Sequence, residues 1–261
     1  MKRELAVASA LLLAGCAAPD VEPVPLTTPV TTVAKPKPFA ELAEKVAIIE
    51  ESTRTEVGIS LFDGSVTTSA GSLEWLPAWS TMKIPIAMAA EEHCEYGEEY
   101  KMQLIEASIE WSDNDSARAL WDCMGSNSEA SEKVSAEIAK SGSRVTVRGA
   151  FGTTRWSFAG QARYGYYLSQ QDEDNPIFAD MHHIAEDQAY GLGQLGIPFK
   201  GGWSDYERDG SWHTRQFGWL DLGGTTYGVA VGARSADGSY DDTQEALNQV
   251  AELLSASASA R

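Results

Sequence analysis

The 261-residue sequence predicts an α+β fold of two lobes. Strand-like runs lie near both ends of the chain, and a long helical stretch separates them. An amphipathic helix flanks the strands at each end. Phe39 to Ser52 is the first helix, with Leu42, Val46, Ile48 and Ile49 as its apolar stripe. Glu56 to Phe62 reads as a strand, which Asp63-Gly64 turns into a second, Val66 to Ala70. Glu74 to Trp79 then leads into a helix that opens at Ser80. Its run Ile84-Pro85-Ile86-Ala87-Met88-Ala89-Ala90 is apolar on every side and predicts burial; a first helical turn tolerates Pro85. Helical periodicity continues from about Glu99 to His183. Ile197 to Trp203, Thr214 to Leu222 and Thr225 to Arg234 read as an antiparallel meander joined by glycine-containing turns. Asp242 with Glu245 is expected to cap a last helix, Thr243 to Leu254, and Ser255 to Arg261 to form a frayed tail. Assembled, these make a five-stranded antiparallel sheet flanked by the first and last helices. An all-helical lobe over about residues 95–190 completes it, with a cleft between the lobes.

Residues 1–15 read as a secretory leader: a charged start, Met1-Lys2-Arg3, then an apolar run from Leu5 to Leu13 that is too short to span a bilayer. Leu13-Ala14-Gly15-Cys16 resembles a bacterial lipobox, which implies lipidation of Cys16 and a membrane anchor outside the cytoplasm. The alternative is an ordinary signal peptide with a stray cysteine. Residues 16–38 carry Pro19, Pro23, Pro25, Pro29, Pro36 and Pro38 and read as a semi-extended tether to a folded domain at 39–261. A net charge of −18 argues against nucleic acid or anionic lipid as partners. Cys94 and Cys123 are an even pair in an exported chain, which suggests a disulfide; the alternative is two buried free thiols. The 4 histidines form no metal-ligand constellation, and His182-His183 reads as a surface pair. The domain is expected to be monomeric, without metal or cofactor.

Chemistry concentrates in three ordered motifs. In Ser80-Thr81-Met82-Lys83 a serine and a lysine lie one helical turn apart. A lysine among apolar residues loses solvation of its charged form, and its neutral amine can take a hydroxyl proton. The backbone N–H of Ser80, at a helix start, suits an oxyanion donor. Ser112-Asp113-Asn114 and Lys200-Gly201-Gly202-Trp203 follow. In this order the motifs resemble those of the class A β-lactamases and the related penicillin-binding proteins, from about Phe39 to Leu254. The resemblance implies a β-lactamase-like fold with Ser80 as nucleophile and Lys83 as acylation base. It implies that Ser112 passes a proton to the leaving group and that Asn114 holds the acyl-side amide. Lys200 would supply positive potential, and the Trp203 N–H the second oxyanion donor.

Two departures from that pattern matter. Gly201 stands where the family carries a Thr or Ser whose hydroxyl binds a carboxylate; Arg215, on the next strand, is a candidate to compensate. No E-x-x-L-N loop lies between Asn114 and Lys200, and Glu129, Glu132 and Glu137 read as solvated helix charges beside Lys133 and Lys140. Trp75, Trp79, Trp111, Trp203, Trp212 and Trp219 flank the motifs, mostly as core. The expected function is a cell-envelope lipoprotein serine acyltransferase or hydrolase. It would form an acyl-serine with a cell-wall peptide or a related small amide or ester, and deacylate slowly. A non-catalytic binding lipoprotein is the rival, and a weak β-lactamase the second alternative.

Overall fold

In the computed structural model, residue 39 and residues 41–259 are described; Cys16 and the other residues of the leader and tether lie outside them. The first helix, α1 (Leu42–Thr53), buries Leu42, Val46 and Ile49 and leaves Ile48 exposed. It delivers the chain to β1 (Glu56–Phe62), which hairpins into β2 (Thr67–Ala70). The turn between them is fixed by Asp63, whose Oδ1 accepts from the backbone N–H groups of Ser65 at 2.8 Å and Val66 at 2.7 Å.

The three late strands are β5 (Phe199–Tyr206), β6 (Ser211–Leu222) and β7 (Thr225–Ser235). With the first two they form one antiparallel sheet in the order β2-β1-β7-β6-β5, so the last strand in space is β5. The final helix, α8 (Tyr240–Ser259), lies against β6 and β7 and packs on α1, burying Ala246, Leu247, Val250 and Leu254. Its cap is Ser239, whose Oγ accepts from the Asp242 N–H at 3.1 Å; Asp242 is inside the first turn rather than the capping residue.

The helical lobe is built round α2 (Lys83–His93). From Lys83 to Ala90 this helix is buried at every position but Met88, as an apolar run of that length requires. Around it stand α3 (Glu98–Glu110), α4 (Asn114–Cys123), α5 (Asn127–Ala139) and α7 (Pro176–His182). Cys94, after α2, and Cys123, at the end of α4, are joined by a disulfide with their Cα atoms 5.3 Å apart. Glu129 completes a capping box with Ser126.

Two parts of the expected helical stretch belong elsewhere. A small ribbon pairs β3 (Trp75–Pro77) with β4 (Arg155–Ser157), and both run into segments that flank the sheet. Helix α6 (Phe158–Leu168) lies on β1, β6 and β7, covering the second face of the sheet. Glycines permit this close approach: a Cβ on Gly228 would lie 2.0 Å from the Ala162 carbonyl oxygen of α6. Glu137 also departs from expectation. It is buried on α5, accepting from the Tyr164 hydroxyl at 3.0 Å and pairing with Lys140 at 2.8 Å.

Candidate active site

Ser80 sits in a 3-10 turn, Trp79–Met82, that runs straight into α2, and the Lys83 N–H donates to the Ser80 carbonyl. The two side chains therefore share one turn. Trp79 holds a φ of +47°, a conformation costly for a large side chain, so surrounding contacts must hold it. Those contacts are specific. The Ala78 N–H donates to the Thr154 carbonyl at 2.8 Å. Gln161 Nε2 of α6 donates to Thr81 Oγ1 at 2.9 Å.

Lys83 is buried, and its ammonium gives all three donors to the second motif. They go to the Ser112 carbonyl, to Ser112 Oγ at 3.2 Å and to Asn114 Oδ1 at 2.8 Å. Ser112 adopts a left-handed backbone, φ +58°. Asp113 is the N-cap of α4, its Oδ1 accepting from the Ser116 N–H at 2.7 Å. Lys200, fully buried on β5, reaches the same hydroxyl from the sheet side: its Nζ donates to Ser112 Oγ at 3.1 Å and to the Gly201 carbonyl at 3.1 Å. One serine oxygen thus lies between two amines.

That arrangement lowers both amine pKa values. Burial pushes Lys83 down to about 8, with the Asp113 carboxylate opposing. Burial, helped by the neighbouring Lys83 charge, pushes Lys200 well below the ordinary lysine range.

Strand β5 passes very close to the nucleophile. A Cβ on Gly202 would lie 2.6 Å from the Ser80 backbone nitrogen and 2.9 Å from that of Thr81. Gly202 is thus a close-approach glycine, and Trp203 follows it on the strand nearest the cleft. Gly201 differs: nothing lies within 3.8 Å of the Cβ it lacks. The Trp203 ring turns away, stacked on Tyr240 with centroids 6.4 Å apart. Trp111, beside Ser112, is exposed.

Arg215 is not a cleft residue. It is 0% exposed, paired in register with Gly202 on the face of the sheet that α6 covers. Its Nη1 donates to the carbonyls of Leu76 at 2.7 Å, Pro77 at 3.0 Å and Trp156 at 3.2 Å. Its Nε donates to Gln161 Oε1 at 3.2 Å and its Nη2 at 2.5 Å. All its described bonds are internal, so it has no role in binding a carboxylate in the cleft. It anchors Gln161, which bonds Thr81 beside Ser80. No local pattern announces this Arg215–Gln161–Thr81 chain, whose bonds span 54 and 80 positions.

The segment that meets the Ser80 turn between the second and third motifs is the 3-10 turn Phe151–Thr153. A Cβ on Gly152 would lie 3.6 Å from the Trp79 Cα. Phe151 packs on Trp121 with centroids 5.5 Å apart, and Arg118 lies over its ring. From residue 140 to residue 157 the sequence contains no Asp or Glu. Among the described residues no group of acidic, histidine or cysteine side chains is arranged to hold a metal ion. His183 instead lies 3.6 Å from Glu110.

No family model matches the chain, and no curated protein matches it in sequence. Solved structures do. A class A β-lactamase from Bacteroides cellulosilyticus superposes with a TM-score of 0.62 at 15% identity, covering 82% of this chain and 97% of that one. The TLA-1 extended-spectrum β-lactamase gives 0.64 at 15% identity, with 84% and 99% covered. The protein L2, solved with relebactam, gives 0.61 at 17% identity, with 80% and 93% covered. The chain has a class A β-lactamase-like fold.

Proposed function

We propose that the protein is a serine acyltransferase or hydrolase of the penicillin-recognising kind that forms a long-lived acyl-enzyme. The observation carrying this is the clustering of Lys83, Ser112, Asn114 and Lys200 beside the Ser80 turn, with both lysines on Ser112 Oγ. The neutral Lys83 amine takes the Ser80 proton as Oγ attacks an acyl carbon. The carbonyl π electrons move onto oxygen, for which the Ser80 and Trp203 N–H groups are the proposed donors. As the tetrahedral species collapses, the leaving nitrogen or oxygen departs with its bonding pair. It receives a proton from Ser112, which Lys83 replenishes. Asn114 already gives its oxygen to Lys83, so its NH2 remains for a substrate carbonyl.

Turnover needs a water and a base. A positioned general base is typically worth about 10²–10⁴ in rate, and no carboxylate lies in the turn against Ser80. The ester therefore persists. Exported residence, a lipid anchor at Cys16 and a cell-wall peptide or a related small amide or ester as substrate complete the reading; they rest on the sequence.

Labelling with a fluorescent penicillin and a fluorophosphonate, followed by mass spectrometry of the Ser80 peptide, tests it. An adduct on Ser80 that Ser80→Ala and Lys83→Ala both abolish, and that outlasts many minutes, is expected. Rapid multiple turnover of a cephalosporin would refute the slow ester. No adduct with either probe would favour a binding protein that kept the fold, a reading to which the bare Gly201 lends support.

A further inference from the structure

Asn114, whose Oδ1 accepts from Lys83, opens helix α4, and Arg118 follows it by four positions. That spacing puts the two on one helix face, one turn apart, with about 5–6 Å between their Cβ atoms. Two contacts fix the Arg118 guanidinium. Its Nη2 donates to the Gly149 carbonyl at 3.1 Å, and its central carbon lies 4.9 Å from the centre of the Phe151 ring. Phe151 opens the turn whose Gly152 meets the Trp79 backbone beside Ser80. Arg118 is thus anchored to the segment that abuts the nucleophile, one turn along α4 from the Asn114 amide.

This guanidinium is half-buried and has no carboxylate partner among the described residues. The bond to Gly149 uses one corner of the group, and its other N–H groups have no hydrogen bond among the described residues. In a chain of net charge −18 that is unexpected, because carboxylates are plentiful. Those nearby do not take it up. On α4, Asp115 and Asp122 stand three positions before it and four after, both exposed, and neither pairs with it. Asp113 is engaged at the Ser116 N–H. On the neighbouring α5, Glu129 accepts from Ser126 Oγ at 2.7 Å and Glu132 from Ser128 Oγ at 3.4 Å. The segment that Arg118 touches, residues 140–157, carries Arg144, Arg148 and Arg155 but no acid. The remainder of the planar fork suits a bidentate oxyanion. The Phe151 ring keeps water from one side of it, which strengthens such a bond over an exposed ion pair.

We propose that Arg118 is a specificity residue of the cleft, receiving a carboxylate on the acyl side of the substrate, beyond the amide that Asn114 holds. The proposal rests on the acyl-transfer reading for the direction in which the substrate lies. It shifts anion recognition from the leaving-group side, where Gly201 offers no hydroxyl, to the acyl side.

Two penicillins test it. Carboxybenzylpenicillin differs from benzylpenicillin only by a carboxylate on the acyl side chain, so the ratio of their affinities isolates that group. Calorimetry of the full-length Ser80→Ala protein reads recognition without ester formation. Carboxybenzylpenicillin should bind about tenfold tighter, the worth of one charged hydrogen bond. Adding Arg118→Gln should bring the ratio to about one. Adding Arg148→Gln instead removes the same charge from an exposed neighbour and should leave the ratio standing. Each ratio is taken within one variant, so a partial loss of folded protein cancels. Equal affinities in Ser80→Ala, no measurable binding of carboxybenzylpenicillin, a preference that survives Arg118→Gln, or one that Arg148→Gln removes as fully would each overturn the proposal. Failure of acyl transfer itself would appear separately, as absent labelling of the unmodified protein.

Discussion

Titrating Lys83 probes the heart of the proposed chemistry. Its amine is buried against Ser112 and Asn114, and burial sets its pKa at about 8. If the neutral amine accepts the Ser80 proton, the acylation rate constant follows the neutral fraction. That fraction is about one tenth at pH 7 and about nine tenths at pH 9, so the rate should climb roughly ninefold and then level off. An ordinary lysine would give a rise of about a hundredfold across the same interval, still climbing at its end. Asp113→Asn supplies a second arm. Asparagine caps a helix as well as aspartate does, so the Ser116 N–H keeps an acceptor while the charge that holds Lys83 up disappears. The bend should move to lower pH. The assay is time-resolved fluorophosphonate labelling at constant ionic strength. A profile without a bend, or one that Asp113→Asn leaves in place, would refute Lys83 as the base. Stability carries the same signature. The folded pKa lies below the unfolded one, so between about 8 and 10.5 the unfolded chain binds the additional proton and stability rises with pH. Below that window the penalty is fully present, and Lys83→Met should remove this component of the slope.

Neighbouring glycines should respond oppositely. Gly202→Ala places a Cβ 2.6 Å from the Ser80 nitrogen, against backbone that cannot swing aside, and should cut acylation about a hundredfold, as loss of an oxyanion donor does. Gly201→Thr meets only ordinary contacts at 3.8 Å or more from its Cβ and should raise acylation by carboxylate-bearing β-lactams about tenfold, the worth of one charged hydrogen bond, with little effect on deacylation; labelling kinetics decide both. Cys94→Ser with Cys123→Ser should cost about 2–4 kcal/mol in urea unfolding, and a variant as stable as the parent would show that the bridge adds nothing. Arg215→Met strands the Leu76, Pro77 and Trp156 carbonyls and should cost about 3 kcal/mol or more by the same measurement, with labelling reduced only as far as folding is.

The elements legible in the sequence were those with a strong period or an unmistakable turn. The paired early strands, the buried α2 and the late meander all fall within a few residues of their expected bounds. The β3–β4 ribbon escaped because three residues carry no period. Helix α6 was assigned to the wrong layer because periodicity reveals an apolar face but not what covers it; the close approach of α6 to Gly228 is a tertiary fact. Arg215 was misjudged for a related reason. Both faces of β6 are buried over most of its length, so inside and outside do not alternate along it. Ser80 and Lys83 could be read together because one helical turn joins them. The bond from Gln161 to Thr81 spans 80 positions and has no local signal.

The two departures from the family pattern gain meaning when taken with the pKa values. Lys200 is pushed well below the ordinary lysine range, first by burial and then by the Lys83 charge, so it is a weaker cation for a substrate carboxylate than an ordinary lysine. A substrate carboxylate at that position finds no hydroxyl donor on Gly201. The same chain presents Phe151 and Gly152, rather than a carboxylate, in the turn against Ser80. On the proposed reading, weak carboxylate capture would slow entry of β-lactams, and the absent base would slow exit of the ester. Each alone would describe a poor β-lactamase. Together, with Lys83, Ser112 and Asn114 still in bonding contact, they would favour, under the proposed function, one durable acyl bond with an acyl donor that needs no carboxylate beside Gly201 to be recognised.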